Sequence, residues 1–392
     1  MGGVSLAVPA GPKVPLSAWL LDPAVTFLNH GSFGAAPRAV LAEQDRWRQR
    51  MERRPTGFMT YELPDALRQA ATRLAAFVGA RADDLAFVEN ATAGCNAVLR
   101  SFPFRSGDEV LVTDHGYPAV RKAAEYAALR SSARVIEATV PFPLEAPAQV
   151  VEAVASRIGP RTRLAIIDHI TSPTAVVFPV HEIAALLHRA GVRVLIDGAH
   201  APGMVDLDVP ALGADWYVGN CHKWLMAPKG SAFLWADPAR QADLHPTVIS
   251  HGYGQGLTAE FDWVGTRDPS AWLATPSAID FHEALGGTGL RERNVRLADE
   301  AGSLLARRWQ TERGAPDLLT GSMVSIRLPI AGQASPERAQ ELRAWLYHEH
   351  RIEVAVVAFG GALWARVSAQ AYNSFPDYDR FGAVFTGCLP AS

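Results

Sequence analysis

Two residues with catalytic potential stand at the ends of neighbouring apolar runs. Asp197 ends the run that opens the segment IDGAHAPGMVDLDVPALGADWYVGNCHKW, residues 196–224, and Lys223 follows the next run. Open α/β sheets bind ligands at the carboxyl ends of their strands, so both side chains are expected at one cleft. One chemistry needs an Asp and a Lys together there: pyridoxal phosphate forms a Schiff base with the lysine while the carboxylate keeps its pyridine nitrogen protonated, which makes it an electron sink.

Neighbouring histidines add weight to that chemistry. His200 comes three residues after Asp197, where it could hydrogen-bond or stack beside the carboxylate, and His222 directly precedes Lys223. Taken alone, Asp197 is better explained by a helix cap or a strand-end turn, and Lys223 by a solvent-exposed loop. A lysine beside a histidine at the end of a buried strand is an unusual choice for a core, so the combination favours a constructed site.

A phosphate group needs an anion site, and the segment ENATAGCN, residues 89–96, offers one. It follows a predicted strand and opens a helix with small residues, so backbone N–H groups and the helix dipole would face a bound anion. Thr92 can add its hydroxyl, and His222 is a second phosphate candidate. Thr92 also suits an ordinary helix start, and His222 a buried structural histidine, so both interpretations stay open.

Composition narrows the class of protein. The 392 residues are 48% hydrophobic and 20% charged with a net charge of −3, which argues against nucleic-acid binding, and no apolar run reaches the length of a membrane span. The cysteines, Cys95, Cys221 and Cys388, show no CxxC spacing, which favours a reducing cytoplasm without disulfides or structural zinc. We expect no metal at His245 and His251, because no carboxylate or thiolate stands at ligand spacing.

The elements that must position these residues alternate between β and α. Short β-rich runs and longer helical stretches follow one another from residue 85, as in a mostly parallel α/β sheet. Strands are predicted at residues 85–88, 110–112, 135–139, 164–167, 192–196, 216–218 and 233–235. The C-terminal part is predicted as strand, helix, strand, strand and helix at residues 323–328, 336–350, 352–358, 363–368 and 377–388. We therefore expect an N-terminal arm at 1–36 that contributes to the active site, a large α/β domain at 37–285 and a small α+β domain at 286–392.

Five motifs spread over almost the whole chain carry a family resemblance. They are LLDPAVTFLNHGSFGAAPR, DGAHAPG, GNCHKW, VGTRDPSAW and RVSAQAYNS, in this order. With them the chain resembles class V (fold type I) pyridoxal-phosphate enzymes of the aminotransferase fold, and within that class the isopenicillin N epimerase-like group, relatives of cysteine desulfurases. The resemblance implies pyridoxal 5′-phosphate as cofactor and a large mostly parallel α/β domain beside a small one.

The same resemblance assigns the cofactor contacts. Lys223 would form the Schiff base, Asp197 would bind the pyridine nitrogen and His200 would lie beside it. The phosphate would be held by Ala91, Thr92 and His222. Tyr117, in DHGYPA, would stack on the pyridine face, unless it is an ordinary core aromatic at a helix start, and Ser172 would sit near the phenolic oxygen.

The resemblance also assigns substrate and partner contacts. Arg366 would bind the substrate carboxylate, because a planar guanidinium can donate two parallel hydrogen bonds to it. Asn29 and His30, from the N-terminal segment, are expected to face the substrate. Gly265 and Thr266 would reach the phosphate of a neighbouring subunit, which predicts a homodimer with shared sites.

The reaction itself is left open among three outcomes. Loss of the α-proton from a bound amino acid can lead to epimerisation, β-elimination or transamination, and the pocket decides between them. The related desulfurases need a nucleophilic Cys on a mobile loop shortly before the carboxylate-binding arginine, and residues 354–363 contain none. We expect an epimerase or racemase first, a carbon-sulfur lyase second and an aminotransferase third. A cofactor-binding protein without turnover is disfavoured, because a scaffold needs neither the electron sink nor the carboxylate clamp.

Overall fold

The computed structural model describes residues 14–385. Residues 1–13 of the predicted N-terminal arm, the end of the last predicted helix and Cys388 lie outside this range. Within residues 14–385, no helix is long and apolar enough to cross a bilayer.

A seven-stranded sheet forms the centre of the larger part of the molecule. Its spatial order is β2-β8-β7-β6-β5-β3-β4, with β3 to β7 mutually parallel and β8 antiparallel to both of its neighbours. The strands are β2 (Leu85–Val88), β3 (Glu109–Thr113), β4 (Arg134–Ala138), β5 (Thr162–Asp168), β6 (Arg193–Asp197), β7 (Trp216–Asn220) and β8 (Ala232–Ala236). All seven predicted strands are present, and the prediction of a mostly parallel sheet is confirmed.

Both faces of this sheet are buried, and successive residues alternate between two apolar clusters. Leu111, Ile167 and Ile196 pack in one cluster, whereas Ile166 and Leu195 pack in the other. This period of two explains the strongly apolar strands of a parallel sheet covered on both sides. It also places the residues that follow Ile167 and Ile196 on the same face as Ile166 and Leu195.

The helices cover the sheet and also form much of the N-terminal and C-terminal parts of the molecule. The N-terminal helices are α1 (His30–Phe33), α2 (Arg38–Arg53), α3 (Pro55–Gly57) and α4 (Leu63–Phe77), with a π-helical turn at Phe58–Glu62 before α4. The next helices are α5 (Ala91–Ser101), α6 (Pro118–Arg130), α7 (Pro147–Ala155) and α8 (Val180–Arg189). The remaining helices are α9 (Leu257–Asp262), α10 (Ser270–Leu273), α11 (Thr275–Ala284), α12 (Thr288–Trp309), α13 (Pro336–His350) and α14 (Phe375–Val384). Pro37 is the N-cap residue of α2.

The C-terminal part contains a three-stranded antiparallel sheet in the order β11-β12-β9. Its strands are β9 (Met323–Arg327), β11 (Ala355–Phe359) and β12 (Ala362–Ser368). The predicted strand at 352–358 is divided in the structure, and its first part, β10 (Ile352–Glu353), pairs in parallel with β1 (Thr26–Phe27). This pairing ties the N-terminal segment to the C-terminal part. The domain boundary at 285/286 stays a prediction; it falls in the loop between α11 and α12.

Candidate active site

Two carboxylates lie side by side at the carboxyl edge of the large sheet. Strands β5 and β6 end in Asp168 and Asp197, which are register partners across the parallel pair. Both side chains are buried, and burial is the largest cause that raises the pKa of each; the charge of Asp197 further raises that of Asp168. Lys223 opposes this effect on both carboxyls. The sheet thus presents a pair of buried carboxyl groups at the edge where ligands of such folds bind.

Lys223 follows β7 and is 9% exposed, so its predicted position at the same edge is the one observed. Burial, followed by the charge of Arg366, lowers the pKa of its amine to about 7, although Asp197 and Asp168 act in the opposite direction. An amine with a pKa near 7 is substantially neutral at physiological pH, which an ordinary lysine is not. Lys223 therefore has the nucleophilic form that attachment to a carbonyl compound requires.

His200 contacts the lysine rather than the carboxylate. Its Nε2 lies 3.0 Å from Lys223 Nζ, and its Nδ1 accepts a hydrogen bond from the indole Nε1 of Trp224 at 3.3 Å. Asp197 Oδ1 instead accepts the backbone N–H of Ala199 at 3.0 Å. Burial holds the pKa of His200 well below its usual value.

The amino end of α5 forms a second wall. Asn90 caps the helix by accepting the N–H of Ala93 at 2.8 Å, and the N–H of Ala91 donates to Asn220 Oδ1 at 2.8 Å. The predicted role of Ala91 is therefore corrected in one respect, because its N–H already has a protein acceptor. Among the described residues, the backbone N–H of Thr92 has no acceptor, and Thr92 lines the cavity.

His222 stands at the same end of the cavity. Its Nδ1 hydrogen-bonds the carbonyl oxygen of Ser231 at 3.0 Å, so the Nδ1 proton is engaged and Nε2 is left for a ligand. Burial lowers the pKa of His222 to about 4. Thr92 and the helix end supply donors of the kind that bind phosphate, and His222 can add a donor at Nε2 only when its ring is protonated.

Arg366, in β12, is a buried cation with no carboxylate partner among residues 14–385. Its Nη1 donates to the carbonyl and hydroxyl oxygens of Ser172, and its Nη2 to Ser32 Oγ at 3.0 Å and Asn29 Oδ1 at 3.4 Å. Its Nε has no hydrogen-bond acceptor. Ser32 and Ser172 line the cavity, so the guanidinium lies directly behind that wall. A buried charge without a counter-ion is costly, and a ligand carboxylate would supply the missing partner.

The N-terminal segment contributes differently from the prediction. Asn29 contacts Arg366, but His30 does not face the cavity: its Nδ1 hydrogen-bonds Tyr372 Oη at 2.8 Å and its Nε2 the carbonyl oxygen of Lys223 at 3.1 Å. Burial lowers the pKa of His30 to about 3. His30 thus supports the backbone of Lys223 from behind, which corrects its expected substrate contact.

One cavity of about 540 Å³ connects these groups, a size typical of small-ligand sites. Its lining includes Tyr117, which is 41% exposed and stands at the start of α6. The backbone N–H of Tyr117 faces the Asp168 carboxyl and lowers its pKa, so Tyr117 stands next to the sheet edge. Among the predicted residues, the cavity walls include Ala91, Thr92, Tyr117, Ser172, Asp197, His200, His222 and Lys223.

Gly265 and Thr266 do not line this cavity in the single chain. Gly265 has φ +114°, a conformation that favours glycine, and Thr266 is exposed. The next residue, Arg267, stacks on Trp272 and donates to Glu89 Oε1 at 2.9 Å. Because Glu89 is part of the cavity wall, this ion pair fixes the Gly265–Thr266 loop beside the phosphate end of the cavity.

Where the related desulfurases need a cysteine-bearing loop, this chain has a tight hairpin. Strands β11 and β12 pair from Ala355↔Arg366 to Phe359↔Ala362, joined only by Gly360 and Gly361. Both glycines have positive φ, as a two-residue hairpin turn requires. The hairpin has no room for a mobile loop.

Neither described cysteine has a reactive environment. Cys95 and Cys221 are fully buried, and burial raises the pKa of Cys221 to about 12 and that of Cys95 well above the usual value. We expect iodoacetamide to leave both thiols unmodified in the native protein and to modify them after unfolding in guanidinium, because the thiolate is the reacting form. Peptide mass spectrometry measures the labelling of each thiol. Fast labelling of either thiol in the native protein would show that its environment is reactive.

Sequence reasoning overlooked several residues of the site, among them Asp168, Ser32 and Phe33. Asp168 occupies the same place after β5 that Asp197 occupies after β6, so the strand-end rule that found one could have found the other. Ser32 and Phe33 follow His30 in the motif LNHGSFG, and no residue property marks them in advance. Phe33 is 73% exposed while it lines the cavity.

Comparison with known proteins places this geometry in a family. Residues 36–340 match the sequence model of class V aminotransferases. The chain belongs to the class V aminotransferase family. It is 35% identical over 397 residues to a probable chloroplastic L-cysteine desulfhydrase of Arabidopsis thaliana, with 94% of this chain and 84% of that protein covered. It is 36% identical over 379 residues to isopenicillin N epimerase of Streptomyces clavuligerus, with 92% and 94% covered.

Solved structures confirm the fold. The cystine C-S lyase C-DES, in complex with its product cysteine persulfide, aligns with a TM-score of 0.79 at 21% identity over 93% of this chain and 98% of that one. A C-DES variant with glycine covalently linked to its PLP cofactor aligns with a TM-score of 0.78 at 21% identity, covering 92% of this chain and 96% of that one. The predicted family and fold are therefore correct, and the chain is a class V aminotransferase-fold enzyme.

Proposed function

We propose that this enzyme binds pyridoxal 5′-phosphate and removes the α-proton of an amino acid, with epimerisation or racemisation as the outcome. The observation that carries the proposal is Arg366, a buried guanidinium without a carboxylate partner among residues 14–385, whose contacts Ser32 and Ser172 line the cavity that holds Lys223. An α-carboxylate at Arg366 and an amine at Lys223 define the two ends of an amino-acid substrate.

The residues present fit the cofactor. Thr92 and His222 suit its phosphate, Asp197 its pyridine nitrogen and Lys223 its carbonyl carbon, all around one cavity. Membership of the class V family supports this choice, as does a solved neighbour that carries a PLP cofactor. When bound, pyridoxal phosphate withdraws electrons from the α-carbon of an amino acid joined to it.

Lys223 acts as the base in this account. With a pKa of about 7, its Nζ accepts the α-proton at neutral pH and can return it. Buried Asp197 supplies the negative charge that holds a protonated ring nitrogen, and Arg366 orients the substrate by its carboxylate.

Epimerisation needs a second proton donor, and Tyr117 is in place for it. In the sheet order, β6 and β5 with Asp197 and Asp168 lie between β7, which precedes Lys223, and β3, which precedes Tyr117. The two residues therefore flank the carboxylate pair. Among the described residues no hydrogen bond engages the Tyr117 hydroxyl, and Tyr117 lines the same cavity as Lys223, so we propose Tyr117 as this second donor.

A carbon-sulfur lyase is the second candidate. The hairpin at Gly360 and Gly361 leaves no place for a sulfur-carrying cysteine, which would let a β-elimination release its sulfur product directly. Relatives named L-cysteine desulfhydrase support this alternative as strongly as those named isopenicillin N epimerase support the first.

A panel of L- and D-amino acids tests the proposal. The loaded enzyme is incubated with each amino acid, and chirality, keto acid and sulfide are measured in parallel. Inversion of the chirality of an amino acid without keto acid supports epimerisation. Release of pyruvate and sulfide from cysteine would show that the enzyme is a carbon-sulfur lyase instead. Keto acid with amination of the cofactor would indicate a transaminase.

We also propose a homodimer in which Gly265 and Thr266 complete the partner's phosphate site. Mixing Lys223→Ala chains with Thr266→Ala chains should restore activity, because half of the sites in a hybrid dimer contain both native residues. Each variant alone should be inactive or weak. An active monomer in analytical ultracentrifugation, or a lack of restoration after subunit exchange is demonstrated, would contradict the shared site.

The cytoplasmic location stays a prediction, since one relative is named as chloroplastic.

A further inference from the structure

Trp224 directly follows Lys223 in the sequence and is buried beside His200. Its side chain is 1% exposed, and its indole Nε1 lies 3.3 Å from Nδ1 of His200. An indole N–H is a donor only, so Nδ1 of His200 must be the acceptor. His200 itself is buried, with a pKa well below the usual value, and is therefore neutral.

This contact fixes the position of the single proton on the His200 ring. A neutral imidazole carries one N–H, and since Nδ1 accepts from Trp224, the hydrogen is on Nε2. Nε2 lies 3.0 Å from Lys223 Nζ. The Nε2–H consequently donates to Nζ, and only a neutral amine has the lone pair to accept it.

We propose that Trp224 is a positioning residue that sets the tautomer of His200 and thereby holds Lys223 as a neutral amine. The two hydrogen bonds exist in the chain without cofactor or substrate. Only the use assigned to them, attachment of the cofactor to Lys223, rests on the proposed function. In cofactor attachment, the Nζ lone pair of Lys223 would form a C–N bond to the cofactor's aldehyde carbon, and both amine hydrogens would leave with the carbonyl oxygen as water.

The charges around Lys223 show why such a device matters. Asp197 at the end of β6 and Asp168 at the end of β5 favour the ammonium form, whereas burial and Arg366 of β12 oppose it. His222, on the lysine's own loop, and His30, on α1, are both held neutral by burial. A hydrogen bond from His200 that only the free amine can accept shifts this balance toward the nucleophile.

Trace labelling of the cofactor-free full-length protein tests the proposal. Acetic anhydride reacts with the free amine only, so acetylation of Lys223 as a function of pH, read by peptide mass spectrometry, gives its pKa. Trp224→Phe keeps an aromatic side chain but removes the indole N–H. His200 can then carry its proton on Nδ1 and accept a hydrogen bond from the Lys223 ammonium at Nε2. We expect acetylation at pH 7 to fall about fivefold, with little change at pH 10, corresponding to a midpoint raised from about 7 by about one pH unit.

Trp309→Phe is the matched control. Its indole is equally buried and donates to the carbonyl oxygen of Gly382 at 3.0 Å, away from the site. This variant should leave the Lys223 midpoint unchanged. A folded Trp224→Phe protein with the parent midpoint would overturn the proposal, whatever the enzyme's reaction proves to be.

A second measurement needs no tryptophan variant. In the unmodified cofactor-free protein with ¹⁵N-labelled histidine, the His200 signal, identified by its loss in His200→Gln, should show an unprotonated Nδ1 and a protonated Nε2. The opposite tautomer would overturn the proposal even if Trp224→Phe fails to fold.

Discussion

Replacing Lys223 with alanine is expected to abolish both turnover and the borohydride-reducible attachment of the cofactor. The amine is the attachment point and the base for the α-proton, and loss of a general base alone costs about 10²- to 10⁴-fold in rate. The measurements are kcat for any substrate found in the panel and the mass of the tryptic peptide after borohydride reduction.

Lys229 provides the control for this experiment. It lies six residues from Lys223, is exposed and donates to the carbonyl oxygen of Gly34 at 3.0 Å. Lys229→Ala should keep the reducible attachment at Lys223. If Lys223→Ala still gains a reducible cofactor on another lysine and turns over, the assignment of the attachment point is wrong.

Replacing Arg366 with alanine should lower kcat/KM by roughly a hundredfold or more while the cofactor stays bound. The lost contact is a charge-assisted, two-pronged hydrogen bond to the substrate carboxylate, and a hundredfold corresponds to about 3 kcal/mol. Arg366→Lys keeps the charge but not the fork, so it should recover only part of the rate. The measurement combines cofactor absorbance with steady-state kinetics.

Arg343→Ala is the matched control in the same part of the molecule. Its Nη1 donates to the carbonyl oxygen of Val356 at 2.7 Å, so it removes a structural arginine without touching the cavity. It should leave kcat/KM nearly unchanged. Loss of the cofactor in Arg366→Ala, or turnover at the parent rate, would place the substrate carboxylate elsewhere.

The strands and the sheet edge were predictable because their signals are local. A short, continuous apolar run marks a strand buried on both faces, and a polar residue at its carboxyl end marks the ligand side, which located Asp197 and Lys223. The same reasoning applies to Asp168. It was nevertheless overlooked, although His169 follows it directly.

The N-terminal segment shows where such reasoning ends. The motif LNHGSFG predicted a role at the site, but not which side chain faces the cavity. That choice depends on the β1–β10 pairing and on contacts of His30 with Tyr372 and Lys223, which are distant in sequence. Likewise, the missing cysteine at 354–363 was visible in the sequence, whereas the closed hairpin that replaces a loop became clear only from the pairing of β11 with β12.

Hydrogen exchange at the α-carbon tests the central claim most directly. The loaded enzyme is incubated in D₂O with the amino-acid panel, and loss of the Cα proton is followed by ¹H NMR. We expect exchange for at least one amino acid, abolished in Lys223→Ala and strongly slowed in Arg366→Ala. Conversion of a substrate with its α-proton fully retained, or exchange that persists unchanged without Lys223, would contradict the account.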